Sequence, residues 1–168
     1  LENNHYISGV YINSGASRGL FGFVDEATIR NLSLIDTYIK AQQACGLIYN
    51  AASTGEVLIS HCYAEAYAQS IYANHFATPL VGELGEKGVM EYCYSRGLIG
   101  GNTTSKAGLI ISCKGTVRNC FSTVKNAPAF YNAAATSVRE NCYSDEDLGG
   151  RFVVGDSLCS RHTIDMHT

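Results

Sequence analysis

One short phrase returns along this chain and restricts what it can fold into. It consists of an aliphatic residue, two polar residues, then cysteine, an aromatic ring and a small residue. It reads Ile59-Ser60-His61-Cys62-Tyr63-Ala64, then Met90-Glu91-Tyr92-Cys93-Tyr94-Ser95, then Val117-Arg118-Asn119-Cys120-Phe121-Ser122. A fourth copy is Arg139-Glu140-Asn141-Cys142-Tyr143-Ser144, with Val138 one residue early. A degenerate upstream copy, Ile29-Arg30-Asn31-Leu32-Ser33-Leu34, places Leu32 where the others have cysteine. From Leu32 to Cys142 the intervals are 30, 31, 27 and 22 residues. A second phrase precedes each copy at nearly constant distance: Gly19-Leu20-Phe21-Gly22, Gly46-Leu47-Ile48-Tyr49, Pro79-Leu80-Val81-Gly82, Gly108-Leu109-Ile110-Ile111 and Ala129-Phe130-Tyr131-Asn132.

Two phrases in fixed order mark a repeat architecture. Intervals of 22–31 residues hold about three short strands and their turns at ~5 residues per strand. Such a unit cannot bury its own apolar side chains, and stacking joins the units into one core. Helical repeats would need longer amphipathic runs of good helix formers. Here the phrases are β-branched, aromatic and glycine-rich. The segment with a helical look, Ala64-Glu65-Ala66-Tyr67-Ala68-Gln69-Ser70, reads as a short helix in a loop or an ordinary strand. The chain is therefore expected to be all-β, a solenoid of roughly five turns. It forms one domain over residues 1–168, with repeats over about 15–144 and ends at 1–14 and 145–168 that cap the stack or begin a further segment.

Composition agrees. The chain has 168 residues, 46% of them hydrophobic and 16% charged, so disorder is not the default. A net charge of −3 removes the basic face a general nucleic-acid binder needs. No apolar run approaches the ~18 residues of a membrane span. Seventeen glycines, two prolines and no tryptophan suit short strands joined by tight turns. The chain starts at Leu1 without a leader and ends as if in mid-chain, so it reads as part of a longer protein.

In a solenoid, matching positions lie ~4.8 Å apart up the stack. The ladder Leu32, Cys62, Cys93, Cys120 and Cys142 then forms an interior column of packed, reduced thiols, with a disulfide between stacked neighbours as the alternative. Seven cysteines leave at least one unpaired within the chain, and no pair has C-x-x-C spacing. Cys45, Cys113 and Cys159 lie off the ladder and stay undecided. The residues before the ladder are Asn31, His61, Tyr92, Asn119 and Asn141. Asparagine at this place suggests a turn, because it tolerates left-handed backbone and its amide can bond to the amide above.

The phrases Gly19-Leu20-Phe21-Gly22, Pro79-Leu80-Val81-Gly82 and Val117-Arg118-Asn119-Cys120-Phe121-Ser122 resemble the GLUG repeat of large secreted and surface proteins of bacteria. The resemblance covers about Gly15 to Ser144. It implies a right-handed parallel β-helix-like solenoid in adhesin-like proteins, or beside peptidase modules, and it carries no catalytic residues. Ala129-Phe130-Tyr131-Asn132 and the Tyr49 copy depart from the pattern, which puts the shape of those turns in question.

The candidate binding residues are Tyr63, Tyr94, Phe121 and Tyr143. They follow the ladder directly, so they face outward if the cysteines face inward. A row of rings can stack on sugars or meet a partner; the alternative is that the rings stack on one another. Tyr67, Tyr72 and Phe76 are expected to widen the patch. Asp145-Glu146-Asp147 offers oxygen ligands but lacks a calcium-loop pattern, and Asp25-Glu26 reads as a turn. Glycoside hydrolysis needs paired carboxylates. The near-column Asp25, Glu56 and Glu86 reads as solvent-facing turns, Glu91 and Glu140 do not align, and Arg118 aligns with Arg139 without acidic company. Neither a G-x-S-x-G nucleophile motif nor a phosphate loop occurs. The expectation is a non-catalytic extracellular module for surface display, adhesion or recognition of glycan or host or cell-surface protein. It uses no cofactor, metal, nucleic acid or membrane insertion, and it has neighbouring domains in the same chain. The alternatives are a polysaccharide-degrading β-helix enzyme, and a spacer or accessory domain of a secreted peptidase.

Overall fold

A computed structural model describes residues 5–51, 54–125, 127–145 and 160–161. Among these residues there is no helix, and every strand pairing is parallel. The chain coils as a β-solenoid, each strand pairing with its equivalent one turn away. Sheet I stacks Phe21–Phe23, Ile48–Ala51, Val81–Leu84, Ile110–Cys113 and Phe130–Ala133. Sheet II stacks Ala27–Arg30, Val57–Ser60, Gly88–Glu91, Thr116–Arg118 and Val138–Glu140. Five strands per sheet make about four complete turns, rather than five, because the last strand closes no further circuit.

Sheet III holds Leu32–Ala41, Tyr63–Ser70, Tyr94–Ile99, Phe121–Lys125 and Tyr143–Asp145. His5–Ser8 and Tyr11–Asn13, from the expected N-terminal cap, both pair with Leu32–Ala41, and Ser160–Arg161 pairs with Tyr143–Asp145. The first three main strands of this sheet shorten along the stack, from 10 residues to 8 and 6. Sheet IV is a three-stranded patch of Ala44–Cys45, Phe76–Thr78 and Ser105–Lys106. Of the expected C-terminal cap, residues 146–159 and 162–168 lie outside the described residues, and Cys159, Glu146 and Asp147 with them.

The segment with the helical look is a strand. Along Tyr63–Ser70 the residues alternate half-buried and buried, with Ala64, Ala66, Ala68 and Ser70 inward. That is period two, not 3.6. The inward side chains are small, as on the neighbouring turns, where a Cβ on Gly108 would lie 2.0 Å from Ser122 Oγ. Ser95 Oγ donates to Gly108 O at 2.6 Å. The small residue of one phrase and the glycine of the other are therefore two sides of one contact.

The second phrase supplies an apolar column, Leu47, Leu80, Leu109 and Ala129, each at most 2% exposed. In the fifth copy the register differs from the sequence alignment. Ile110 pairs with Phe130, so Ala129, not Phe130, takes the leucine position. Pro128 then matches Gly108, whose amide donates to Pro128 O at 2.7 Å.

The corner between sheets II and III explains the other phrase. Asn31, His61, Tyr92, Asn119 and Asn141 all have left-handed backbone, with φ of 50–55°. The next residue points inward, and Cys62, Cys93, Cys120 and Cys142 are at most 2% exposed. Each of these thiols donates to the carbonyl two residues back, at 3.2–3.4 Å. The same carbonyls accept the corner amide of the preceding turn, as in His61 N to Glu91 O. A thiol thus packs as a small hydrophobe and also ties down the turn. Leu32, half-buried against the same core, fills the first place without that bond. Outside the coil, Asn141 Nδ2 donates to Asn119 Oδ1 at 3.1 Å, and the rings of His61 and Tyr92 stack at 4.9 Å.

Cys45, Cys62, Cys93, Cys113, Cys120 and Cys142 are all free thiols and buried. Burial holds Cys45 well above the usual thiol range and pushes Cys113 up to about 12. Hydrogen bonding to the next thiol, with burial behind it, holds Cys62 and Cys120 high as well.

Candidate functional site

Outward side chains of sheet III form three registered columns. The first is Ser33, Tyr63, Tyr94, Phe121 and Tyr143. The second is Glu65, Arg96 and Thr123, and the third is Tyr38, Tyr67, Leu98 and Lys125, headed by Tyr11 opposite Tyr38. Two aromatic rails therefore flank one polar line. The sequence reading placed Tyr67 on this face but missed Tyr11 and Tyr38. Tyr72 is an exposed turn residue against His75, while Phe76 is buried with Cys45, Ala107 and Ile111.

Ring geometry limits what the rails offer. Tyr63 and Tyr94 stack at 5.1 Å and 20°, Tyr94 and Phe121 at 4.2 Å and 22°. Tyr11 and Tyr38 stack at 5.1 Å and 9°, Tyr38 and Tyr67 at 5.3 Å and 4°. Within each stack the faces are turned to one another, so a ligand lying along a rail meets ring edges and hydroxyls; Tyr11, at the end of its stack, is 68% exposed. The hydroxyls are anchored in the polar line: Tyr63 donates to Glu65 Oε2 at 2.8 Å, and Tyr94 shares a 2.7 Å bond with Thr123. Burial, then the bond to Glu65, raises the Tyr63 phenol above its usual range.

The outer face of sheet II carries a groove of about 1080 Å³. Its floor is the column Thr28, Leu58 and Val89. One wall is the corner between sheets I and II, with Glu26, Gly55, Glu56 and Lys87; the other holds Glu91 and Arg118. The first wall is shaped by its backbone. Asp25 Oδ1 accepts the Gly55 amide at 3.0 Å, Ala27 N donates to Glu56 O at 3.1 Å, and Glu26 has φ 46°. A Cβ at 55 would lie 2.3 Å from Glu26 Cγ and 2.4 Å from Asp25 Oδ1, so a larger residue there would have to displace both side chains.

The second wall corrects the charge alignment read from the sequence. Arg118 registers with Glu91 on one side and Glu140 on the other, not with Arg139. Arg118 Nε donates to Glu91 Oε2 at 3.1 Å. Arg139 sits opposite Val117 instead, with its guanidinium 5.9 Å from the Phe130 ring centre. Glu91 and Glu140, read as unaligned, share one register column on either side of Arg118, and the carboxylates of Glu26, Glu56 and Glu91 border one groove. Ser60 Oγ lies 2.7 Å from His61 Nδ1 and donates to Glu91 Oε1 at 3.4 Å. This is not a nucleophile relay of the serine–histidine–carboxylate type, because the carboxylate meets the serine rather than the histidine. It holds Glu91 in place.

Among the described residues no group of three or more His, Cys, Asp or Glu is placed to hold a metal ion. No family model matches the chain, and neither a curated protein nor a solved structure matches it.

Proposed function

We propose that this chain is a non-catalytic recognition module of a secreted or surface-displayed protein, in the manner of the GLUG-repeat proteins its phrases resemble. Its outer faces bind glycan or a host or cell-surface protein while neighbouring domains of the same chain anchor it. The observation that carries this reading is the pair of registered aromatic rails on the solvent side of sheet III. Packing inside the coil needs no ring on the outside. Rings with tethered hydroxyls give apolar area and directional hydrogen bonds in one strip, the composition typical of recognition surfaces. The test is binding of the chain to a broad glycan array and to intact cells, beside a Tyr63→Ala/Tyr94→Ala double variant. Binding lost in a folded variant supports the reading. No binding by the parent chain overturns it in favour of a spacer.

The three carboxylates around the sheet II groove favour a second reading, a polysaccharide-cleaving enzyme. Paired carboxyl groups across a groove are the minimum for glycoside hydrolysis. That reading predicts new reducing ends from a polysaccharide panel, abolished in Glu56→Gln. No release from any polymer sinks it.

A further inference from the structure

We infer that the groove on sheet II, not the aromatic face of sheet III, is the seat of an uncharged oligosaccharide. The inference rests on the recognition reading and divides its surfaces: the glycan goes to the sheet II groove, and the aromatic rails of sheet III are left to a protein partner. It starts from the ring geometry. A sugar presents an apolar C–H face and a rim of hydroxyls. The C–H face needs a flat apolar surface, and on sheet III ring faces are turned to each other. On sheet II the Leu58 and Val89 side chains form an open floor that no ring stack covers. The floor spans three turns, about 10 Å at the spacing of stacked strands, and the volume lies at the upper end of small-ligand sites.

The walls fit hydroxyls better than net charge. A hydroxyl both donates and accepts, and the groove offers both functions side by side. Glu91 and Arg118 are bonded to each other, and Ser60 holds the second carboxylate oxygen. A guanidinium has five donors and a carboxylate about four acceptor sites, so this pair keeps capacity for a ligand while its charges cancel locally. Opposite them, Glu56 and Glu26 face the groove beside Lys87. Three acidic and two basic side chains leave the groove slightly negative, which disfavours uronates, sulfated sugars and phosphates. Because the pair is pre-tied, fewer side chains must be ordered on binding.

The experiment uses the full chain and calorimetric titration with neutral tetra- to hexasaccharides of glucan, xylan, mannan and galactan. Uronate oligomers and oligolysine serve as comparison ligands. Leu58→Arg places a charged side chain over the floor, and Glu91→Gln breaks the tied pair; circular dichroism and melting checks that both fold. Binding of a neutral oligosaccharide that falls at least tenfold in Leu58→Arg and several-fold in Glu91→Gln, and is unchanged in Tyr38→Ser/Tyr67→Ser, is the expected result. Binding that survives both groove variants but is lost in the sheet III variant overturns the inference and leaves the recognition reading intact. Preference for uronates or oligolysine overturns it too. If the chain binds glycans nowhere but still binds cells, the inference fails and the recognition reading narrows to protein. If it binds neither, both fail.

Discussion

The backbone amide of Cys93 donates to Sγ of Cys120, one turn further along, at 3.4 Å. The sulfur ladder therefore belongs to the hydrogen-bonded frame of the corner, and each of its four thiols is at most 2% exposed. Cys62, Cys93, Cys120 and Cys142 are expected to react with an alkylating reagent only as the protein unfolds, with rates that follow urea concentration. Mass spectrometry of labelled peptides reads this directly. Fast labelling of all four in native buffer would contradict the interior column.

Alkaline instability follows from the buried thiols. Burial raises Cys113 from about 9 in the unfolded chain to about 12 in the fold. Below about pH 9 the thiol is neutral in both states and its contribution is complete. Between 9 and 12 the unfolded chain loses the proton and the folded chain keeps it, so stability falls as pH rises. At pH 10.5 this one thiol costs about 2 kcal/mol. Cys45, raised by burial, shifts in the same direction and steepens the decline. Melting curves at pH 8 and 10.5 measure it, and Cys113→Ala should show a shallower fall.

The corner residues make a sharper test of local geometry. Asn119 has φ 52° and accepts the Asn141 amide through its side chain. A β-branched residue there meets the left-handed penalty of about 1–2 kcal/mol and loses the side-chain bond. Asn119→Val should lower urea stability by about that amount, and Asn119→Gly by less. Equal losses would show that backbone strain is not the cause.

Gly97 is held at φ 129°, and a Cβ there would lie 2.1 Å from Ala66 O on the adjacent strand. Neither atom has room to give, since both belong to sheet III backbone. Gly97→Ala should destabilise the fold by about 1–3 kcal/mol. An unchanged midpoint in chemical unfolding would show that the strand relaxes freely.

The repeat made the coil legible because its two phrases sit at structurally obligatory places. The cysteine follows a left-handed corner, and the leucine opens a strand under a close backbone contact. Alternation of Ala64, Ala66 and Ala68 was visible in the sequence as well, but small alanines read equally as helix formers. The second aromatic rail was hidden by one residue. Tyr67 and Leu98 stand five places after their ladder positions, whereas Tyr38 stands six after Leu32. The extra residue is taken up in a bulge between Leu34 and Thr37, where Asp36 has φ 51°. The groove was hidden for another reason. Its walls come from a corner and a strand at different offsets, so carboxylates that share no repeat position, Glu56 and Glu91, come to line one groove only once the coil is closed. In the fifth copy Phe130 drew the alignment to itself by size, though Ala129 holds the register.

The shortening of the sheet III strands gives the molecule a direction. In a cylinder of uniform girth, any turn could be cut out, duplicated or exchanged for its neighbour without notice. Here the circuit from Cys62 to Cys93 takes 31 residues and the one from Cys120 to Cys142 takes 22, so the turns are not interchangeable in length. The repeats are thus addressed by size as well as by sequence. A grafted or duplicated turn is expected to be tolerated best beside a turn of its own length.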